Sequence, residues 1–179
     1  MKLLAIVGMP GAGKSVAADF FKSKGIPILR FGDQTDIGLK EFGLEKNEKN
    51  ERWYREKLRE DLGMAAMAIK IEPSIIETAK THDTIVLDGL YSWEEYIVLK
   101  KKFPMLTLLC IYASPKIRRE RLKHRAVRPL TEEESISRDI SELENLNKGG
   151  PIAVADYLIV NQSDESHFQK ELEQFFSTI

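Results

Sequence analysis

Eight residues near the start of the chain, Gly8-Met-Pro-Gly-Ala-Gly-Lys14-Ser15, constrain its fold more than any other segment. They match G-x-x-x-x-G-K-[ST] at every fixed position, after the apolar run 3–7 and before the helical spacing of 15–24. A strand that enters a glycine-rich turn and leaves as a helix makes an anion cradle. The glycines let the backbone wrap closely enough for its N–H groups to point inward, and the helix adds the positive end of its dipole. A nucleoside triphosphate is the expected ligand. Its contacts are Gly8, Pro10, Gly11, Ala12, Gly13, Lys14, Ser15 and Val16, with Lys14 reaching the β- and γ-phosphates and Ser15 ligating Mg²⁺. ATP and Mg²⁺ are therefore the expected cofactors.

The remaining periodicity alternates strands with helices. Short apolar runs at 26–31, 84–87, 106–112 and 157–160 read as strands. A strong helix is expected over 52–71, its apolar stripe formed by Tyr54, Leu58, Leu62, Ala65 and Ile69, with Pro73 restarting the chain into a short helix at 74–80. Residues 36–50, polar and carrying Gly38 and Gly43, read as irregular or partly helical. Ser92 with Glu95, and Thr131 with Glu134, are capping boxes that open helices over 92–102 and 131–147. Pro115 opens another over 116–123, Gly149-Gly150-Pro151 breaks the chain, and 164–176 is a last amphipathic helix. This alternation predicts an α/β/α three-layer fold on a parallel sheet. Its ligand site should lie at the carboxyl edge of the strands. At 179 residues the chain suits one domain, residues 1–179, with an acceptor-side helical insertion over about 34–82 and a helical lid over about 118–133.

Two acids stand where chemistry would need them. Asp88 ends the third strand and can hold Mg²⁺ or orient a nucleophile, and Gly89 after it permits close approach of a ligand. Asp33 follows the second strand and can bind a sugar hydroxyl or act as general base. Arg52, Arg55 and Arg59 share one helix face and can clamp an anionic acceptor, Arg59 most directly and Arg55 beside it. Arg118, Arg121, Arg125 and Arg128 form a second set whose segment 123–129 has no core periodicity and reads as a flap with cationic tips. Arg138 lies across its helix from Ile136, Ile140 and Leu143. Mobile positive charge of this kind covers a transferring phosphoryl group.

Composition excludes other readings. Lys plus Arg is 27 against 28 Asp plus Glu, so there is no global basic field for nucleic acid or a membrane surface. No apolar stretch approaches the ~20 residues of a membrane span. The single cysteine, Cys110, lies in an apolar run and reads as a buried thiol in a reducing cytoplasm. His82, His124 and His167 lack metal spacing. Trp53 and Trp93 read as packing residues. Nothing in the sequence bears on oligomeric state.

The residues 8–15, Asp33, Asp88-Gly89, the arginine-rich segment 118–128 and Ala155-Asp-Tyr-Leu-Ile-Val-Asn161 together resemble the nucleoside/nucleotide kinase branch of P-loop proteins. Within that branch the chain is most similar to dephospho-CoA kinase and to the small archaeal adenylate-kinase-related proteins, over essentially its whole length. The resemblance implies a five-stranded sheet in the order 2-3-1-4-5. It implies that the backbone after Asn161 borders the adenine, that Arg125 and Arg128 lie in a lid, and that Asp33 and Arg59 face the acceptor. The archaeal relatives tend to carry Arg where this chain has Tyr91.

The expected activity is that of an ATP-dependent phosphotransferase acting on a small nucleotide-like acceptor, a nucleoside monophosphate before dephospho-CoA. Lys14, Asp33, Asp88, Arg125, Arg128 and Arg138 would carry the chemistry. Arg121 and Asn161 would hold the nucleotide, and Arg55, Arg59, Gly89 and Asp33 the acceptor. An ATP-binding regulatory module with slow hydrolysis would need neither acceptor pocket nor lid, and the clustered arginines argue against it. A DNA- or RNA-handling ATPase fits poorly with the neutral net charge.

Overall fold

The computed structural model describes residues 1–178, and of residue 48 the backbone alone. Strands β1 (Lys2–Val7), β2 (Ile28–Arg30), β3 (Thr84–Asp88), β4 (Leu106–Tyr112) and β5 (Tyr157–Val160) form one parallel sheet in the order β2-β3-β1-β4-β5. The helices between them are α1 (Lys14–Ser23), α2 (Phe31–Glu41), α3 (Glu48–Leu62), α4 (Ala66–Thr78), α5 (Trp93–Lys102), α6 (Pro115–Lys123), α7 (Glu132–Glu144), α8 (Gly149–Ala153) and α9 (Glu165–Phe176). This is the α/β/α fold expected from the alternation of strands and helices, with the strand order that the family resemblance implies.

Alternate residues of each strand feed two cores, as the two-residue side-chain period of a strand requires. Leu3, Ala5, Val7, Ile85, Leu87, Leu106 and Leu108 face one side and pack with Phe31, Met67, Ile71, Ile75 and Leu99. Leu4, Ile6, Val86, Leu109, Ile111 and Ile159 face the other and pack with Phe20, Phe21, Phe168, Leu172 and Phe175. Register then sets the site. Ile6 pairs with Asp88, and Arg30 pairs with the same residue from the other side, so the loop after Val7 opens beside both.

Several expectations change. The second strand is shorter, because Phe31 turns its aromatic ring into the core and begins α2, which puts Asp33 in the first turn of a helix. The stretch 36–50 is partly helical, as expected: residues 36–41 continue α2, made possible by Gly38, where a Cβ would lie 1.9 Å from Cζ of Tyr54 on α3. The long helix expected over 52–71 is two helices. Gly63, at φ 79°, ends α3, and α4 starts at Ala66 in a new direction, so Leu62 and Ile69 of the expected stripe are exposed. Pro73 lies inside α4 instead of opening a new helix. Gly149-Gly150-Pro151 form the short α8, with Gly150 pressed against the Trp93 ring. Both capping boxes are present, Ser92 with Glu95 and Thr131 with Glu134. Cys110 is buried. Among the described residues no helix is long and apolar enough to cross a membrane.

Candidate active site

The loop 8–13 owes its path to missing side chains. Gly8, Gly11 and Gly13 take φ of 140°, 79° and 106°. A Cβ at Gly8 would lie 2.3 Å from the Ile111 carbonyl oxygen, at Gly11 2.7 Å from that of Arg118, and at Gly13 2.3 Å from Nδ2 of Asn161. Asn161 Nδ2 donates to the Ala12 carbonyl at 2.9 Å, and Arg118 Nη1 to that of Pro10 at 3.1 Å, so the loop is held from outside. Gly13 caps α1 without a side chain, which leaves the first N–H groups of the helix to an anion. Lys14 folds back across the loop and donates to the carbonyls of Gly8 at 2.8 Å and Met9 at 3.1 Å. Burial pulls its pKa down to about 7, and Lys148 acts in the same direction. Val16 packs against the second core.

Ser15, Asp33 and Asp88 line one cavity of about 380 Å³, together with Arg30, Asp19 and Lys22. Arg30 Nε lies 3.3 Å from Asp88 Oδ2. Burial raises the Asp88 carboxyl, and Arg30 and Lys14 oppose that rise. The hydroxyl of Ser15 and the carboxylate of Asp88 are the hard oxygen donors that Mg²⁺ takes, and they open on the same space. Gly89, at φ 99°, is covered: the Tyr91 ring lies 3.0 Å from where a Cβ would be, so the close approach its freedom permits is made by Tyr91.

The arginines divide. Arg118, expected in the flap, is a buried strut between α6 and α7, paired with Asp139 through both nitrogens at 2.8 and 2.7 Å. Arg121 donates to Asn161 Oδ1 at 3.2 Å, and its Nη1 is buried without a hydrogen-bond partner among the described residues. Arg125 is exposed on the segment after α6. Arg128 takes a left-handed φ of 53° there, with Nη1 3.6 Å from Glu51 of α3. Arg52 pairs with Glu56 in solvent, and Arg55 is half-buried on the same helix. Arg59 is half-buried, its pKa lowered by burial against the opposing charge of Glu95, and its guanidinium has no hydrogen-bond or ion-pair partner among the described residues.

Arg138 projects from the face of α7 that meets the site and donates to Glu142 at 3.1 Å. That face is polar. Ser135 and Glu142 are buried while Ile140 and Leu143 are exposed, because the site and not the core lies beneath it. Two residues there, Lys148 and Glu142, escaped the sequence reading. Lys148, buried, donates to Glu142, and its ammonium sits 4.7 Å from the centre of the Tyr91 ring. Glu95, also buried, accepts from the backbone N–H of Tyr91 at 2.7 Å and of Ser92 at 3.2 Å, and burial pushes its pKa up to about 7. The capping box marked Glu95 as local structure and nothing more.

Comparison with known proteins is consistent with this geometry. A family model described as an AAA domain matches residues 4–142. A UPF0200 protein of Pyrococcus abyssi is 36% identical over 175 residues, 96% of this chain and 93% of that protein. Among solved structures, TT1252 from Thermus thermophilus superposes with a TM-score of 0.67 at 16% identity, covering 99% of this chain and 97% of that one. A shikimate kinase from Bacteroides thetaiotaomicron does so with 0.60 at 13% identity, again over 99% and 97%.

Proposed function

This chain belongs to the AAA-domain family, in the P-loop kinase-like branch that includes UPF0200 proteins, and on that premise we propose that it is an ATP-dependent small-molecule kinase. The observation that carries the reading is the shared cavity. Ser15 and Asp88, which would hold Mg²⁺ at the triphosphate, open on the same space as Asp33, which can orient an acceptor hydroxyl. The shikimate kinase named above, a small-molecule kinase on this fold, adds support.

In this mechanism Lys14 leaves the carbonyls of Gly8 and Met9 and turns its ammonium to the phosphates. MgATP supplies the phosphoryl group when bound. Arg121 and Asn161 flank the nucleotide end of the loop. Arg59 and Arg55 hold the acceptor from α3, and Asp33 orients it; Asp33 takes the proton where the accepting atom is a hydroxyl, whereas a nucleoside monophosphate accepts through an ionised phosphate oxygen and loses no proton. Arg125, Arg128 and Arg138 cover the phosphoryl group and exclude water that would otherwise hydrolyse ATP. The acceptor is nucleotide-like, a nucleoside monophosphate by preference. We assign the activity to the cytoplasm, where ATP and Mg²⁺ are supplied. A coupled ADP-release screen against nucleoside monophosphates, nucleosides and dephospho-CoA tests the reading. Acceptor-stimulated ADP release supports it, and slow release indifferent to every acceptor would make the chain a regulatory ATPase.

A further inference from the structure

Lys148 stands where a lysine is costly, with its side chain 2% exposed. Its ammonium donates to Glu142 Oε2 and sits 4.7 Å from the centre of the Tyr91 ring. That ring packs on Gly89, the residue after Asp88, so the ammonium is one ring away from the strand end that lines the cavity. Glu142 Oε1 accepts from Arg138 Nε at 3.1 Å. One carboxylate is thus divided between a buried ammonium and a guanidinium whose side chain is 46% exposed. Burial alone would raise this carboxyl, yet Lys148 and Arg138 hold it below the usual range, so it stays ionised. The pair of Arg138 and Glu142 is spaced i, i+4 on one helix and needs no buried lysine to form. Burying Lys148 also adds little stability, because desolvation offsets the attraction between the charges. What Lys148 changes is geometry. A carboxylate with both oxygens free grips a guanidinium through two parallel N–H bonds. Asp139 does so with Arg118, at 2.8 and 2.7 Å, and that arginine is a buried strut. Glu142 has one oxygen left for Arg138, which it holds by Nε. The two terminal amino groups of Arg138 make no hydrogen bond or ion pair among the described residues.

Resting on the kinase reading, we propose that Lys148 is a positioning residue: by occupying one oxygen of Glu142 it keeps Arg138 on a one-point contact, with both terminal amino groups left for the γ-phosphate. Arg138 touches the phosphate, and Glu142 and Lys148 act through it. A guanidinium is planar, so a bond at Nε fixes its plane and leaves its outer edge, with two donors, to match two phosphate oxygens. Donors oriented before charge develops are the ones that stabilise it. Lys148 is itself held in place. Its backbone N–H donates to the Glu142 carbonyl at 3.2 Å. Two residues on, Gly150 is pressed to the Trp93 ring, where a Cβ would lie 2.6 Å from Cε3. The Tyr91 ring face gives the ammonium a second attraction. The same contacts also tie the turn 145–148 to the end of α7, and the test separates that structural role from positioning.

Calorimetry with Mg²⁺ gives the affinities for ADP and for the β,γ-imido analogue of ATP, and their ratio isolates the γ-phosphate. The ratio is measured in wild type, Arg138→Ala, Lys148→Met and the double variant, with steady-state kinetics beside it on the acceptor found in the screen. Lys148→Met frees Oε2 of Glu142, which then draws Arg138 into a two-point grip. It is expected to lower the ratio about tenfold or more, the scale of one hydrogen bond to a charged group, and so is Arg138→Ala. The kcat should fall with acceptor KM unchanged. In the Arg138→Ala background Lys148→Met is expected to change neither ratio nor kcat, since it acts through Arg138. Glu142→Asp keeps the charge that buried Lys148 needs and withdraws it from Arg138 by one methylene. It should behave as Lys148→Met does, and it carries the test if Lys148→Met does not fold. Equal losses in the two backgrounds would make Lys148 structural and overturn the proposal. So would an unchanged ratio in Lys148→Met, Glu142→Asp or Arg138→Ala. The kinase reading fails separately, if wild type prefers the analogue over ADP yet no acceptor stimulates ADP release; the ratio then still decides the role of Lys148. A wild type that binds neither nucleotide loses both.

Discussion

Arg118 grips Asp139 through both guanidinium nitrogens, at 2.8 and 2.7 Å, and so ties α6 to α7 at the base of the segment between them. Leu130 N–H donates to the Leu122 carbonyl at 3.1 Å and closes the neck. Beyond that neck Arg125 and Arg128 are exposed, and Arg128 places Nη1 3.6 Å from Glu51 of α3. Arg59, by contrast, stands on a helix fixed by the buried Tyr54 and Leu58. The two arginines should fail differently. Arg128→Ala is expected to lower kcat, because its contact forms on closure and strengthens as charge develops. Arg59→Ala is expected to raise acceptor KM by roughly 1.5–3 kcal/mol, the scale of a hydrogen bond to a charged group. Steady-state kinetics on the acceptor found in the screen decides, and an unchanged KM in Arg59→Ala would remove α3 from the acceptor site.

On the proposed mechanism Lys14, which folds back across the loop, supplies a charge against the triphosphate. Lys14→Ala should lower phosphotransfer by about 10²-fold or more, as loss of one preorganised electrostatic contact does. Circular dichroism should show an intact fold, and near-normal turnover in the folded variant would refute the loop's assigned role.

On the proposed mechanism the two acids divide the work. With Asp88 assigned to the triphosphate as proposed, and paired with Arg30, Asp88→Asn should cut turnover with little change in acceptor KM. Asp33→Asn should damage acceptor use more than acceptor-free ATP hydrolysis. Hydrolysis assays run with and without acceptor separate the two effects, and equal losses in the acceptor-free assay would mean the division is wrong.

Glu95 gives stability a pH dependence of known sign. Burial raises its pKa to about 7 from an ordinary value of 4.5, against the opposing charges of Arg59 and Lys148. Between those two values the folded chain binds more protons than the unfolded chain, so stability falls as pH rises from 4.5 to 7 and levels above it. The contribution is on the order of 3 kcal/mol. In Glu95→Gln, whose amide can still close the capping box, that slope should vanish. Urea unfolding at pH 5 and pH 7.5 measures it, and identical slopes in the two proteins would mean Glu95 titrates normally.

Gly38 and Gly32 offer a contrast within one helix. At Gly38 a Cβ meets the Tyr54 ring at 1.9 Å, so Gly38→Ala should destabilise by about 1–3 kcal/mol of overpacking, more than the gain in helix propensity returns. At Gly32 nothing lies within 4 Å, and Gly32→Ala should be neutral or stabilising. Thermal melts of the two variants should move apart.

What could be read from the sequence was local. Residues 8–15, the boxes at Ser92 and Thr131, and the strand ends at Asp88 and Val160 each carry their signal within a few residues. The cluster of Tyr91, Glu95, Glu142 and Lys148 was invisible, because its members come from separate segments with no shared spacing. Lys148 sits in Asn-Lys-Gly-Gly, which reads as loop. Arg118 looked like its exposed neighbours, and only the docking of α7 makes it a strut. The helix over 52–71 was misread for a different reason: its stripe continues through Gly63 in register, so periodicity alone could not report the change of direction.

Asn161 lies 149 positions after the carbonyl of Ala12 that it holds, and its amide fills the space where Gly13 has no side chain. The phosphate loop is thus among the first segments to be synthesised and among the last to be finished. While β5 is still being made, residues 8–13 lack the neighbour that shapes them, and a nascent chain should not compete with finished protein for ATP. If the loop binds nucleotide as proposed, binding competence should arrive with the last strand and nucleotide binding should report completion of the sheet.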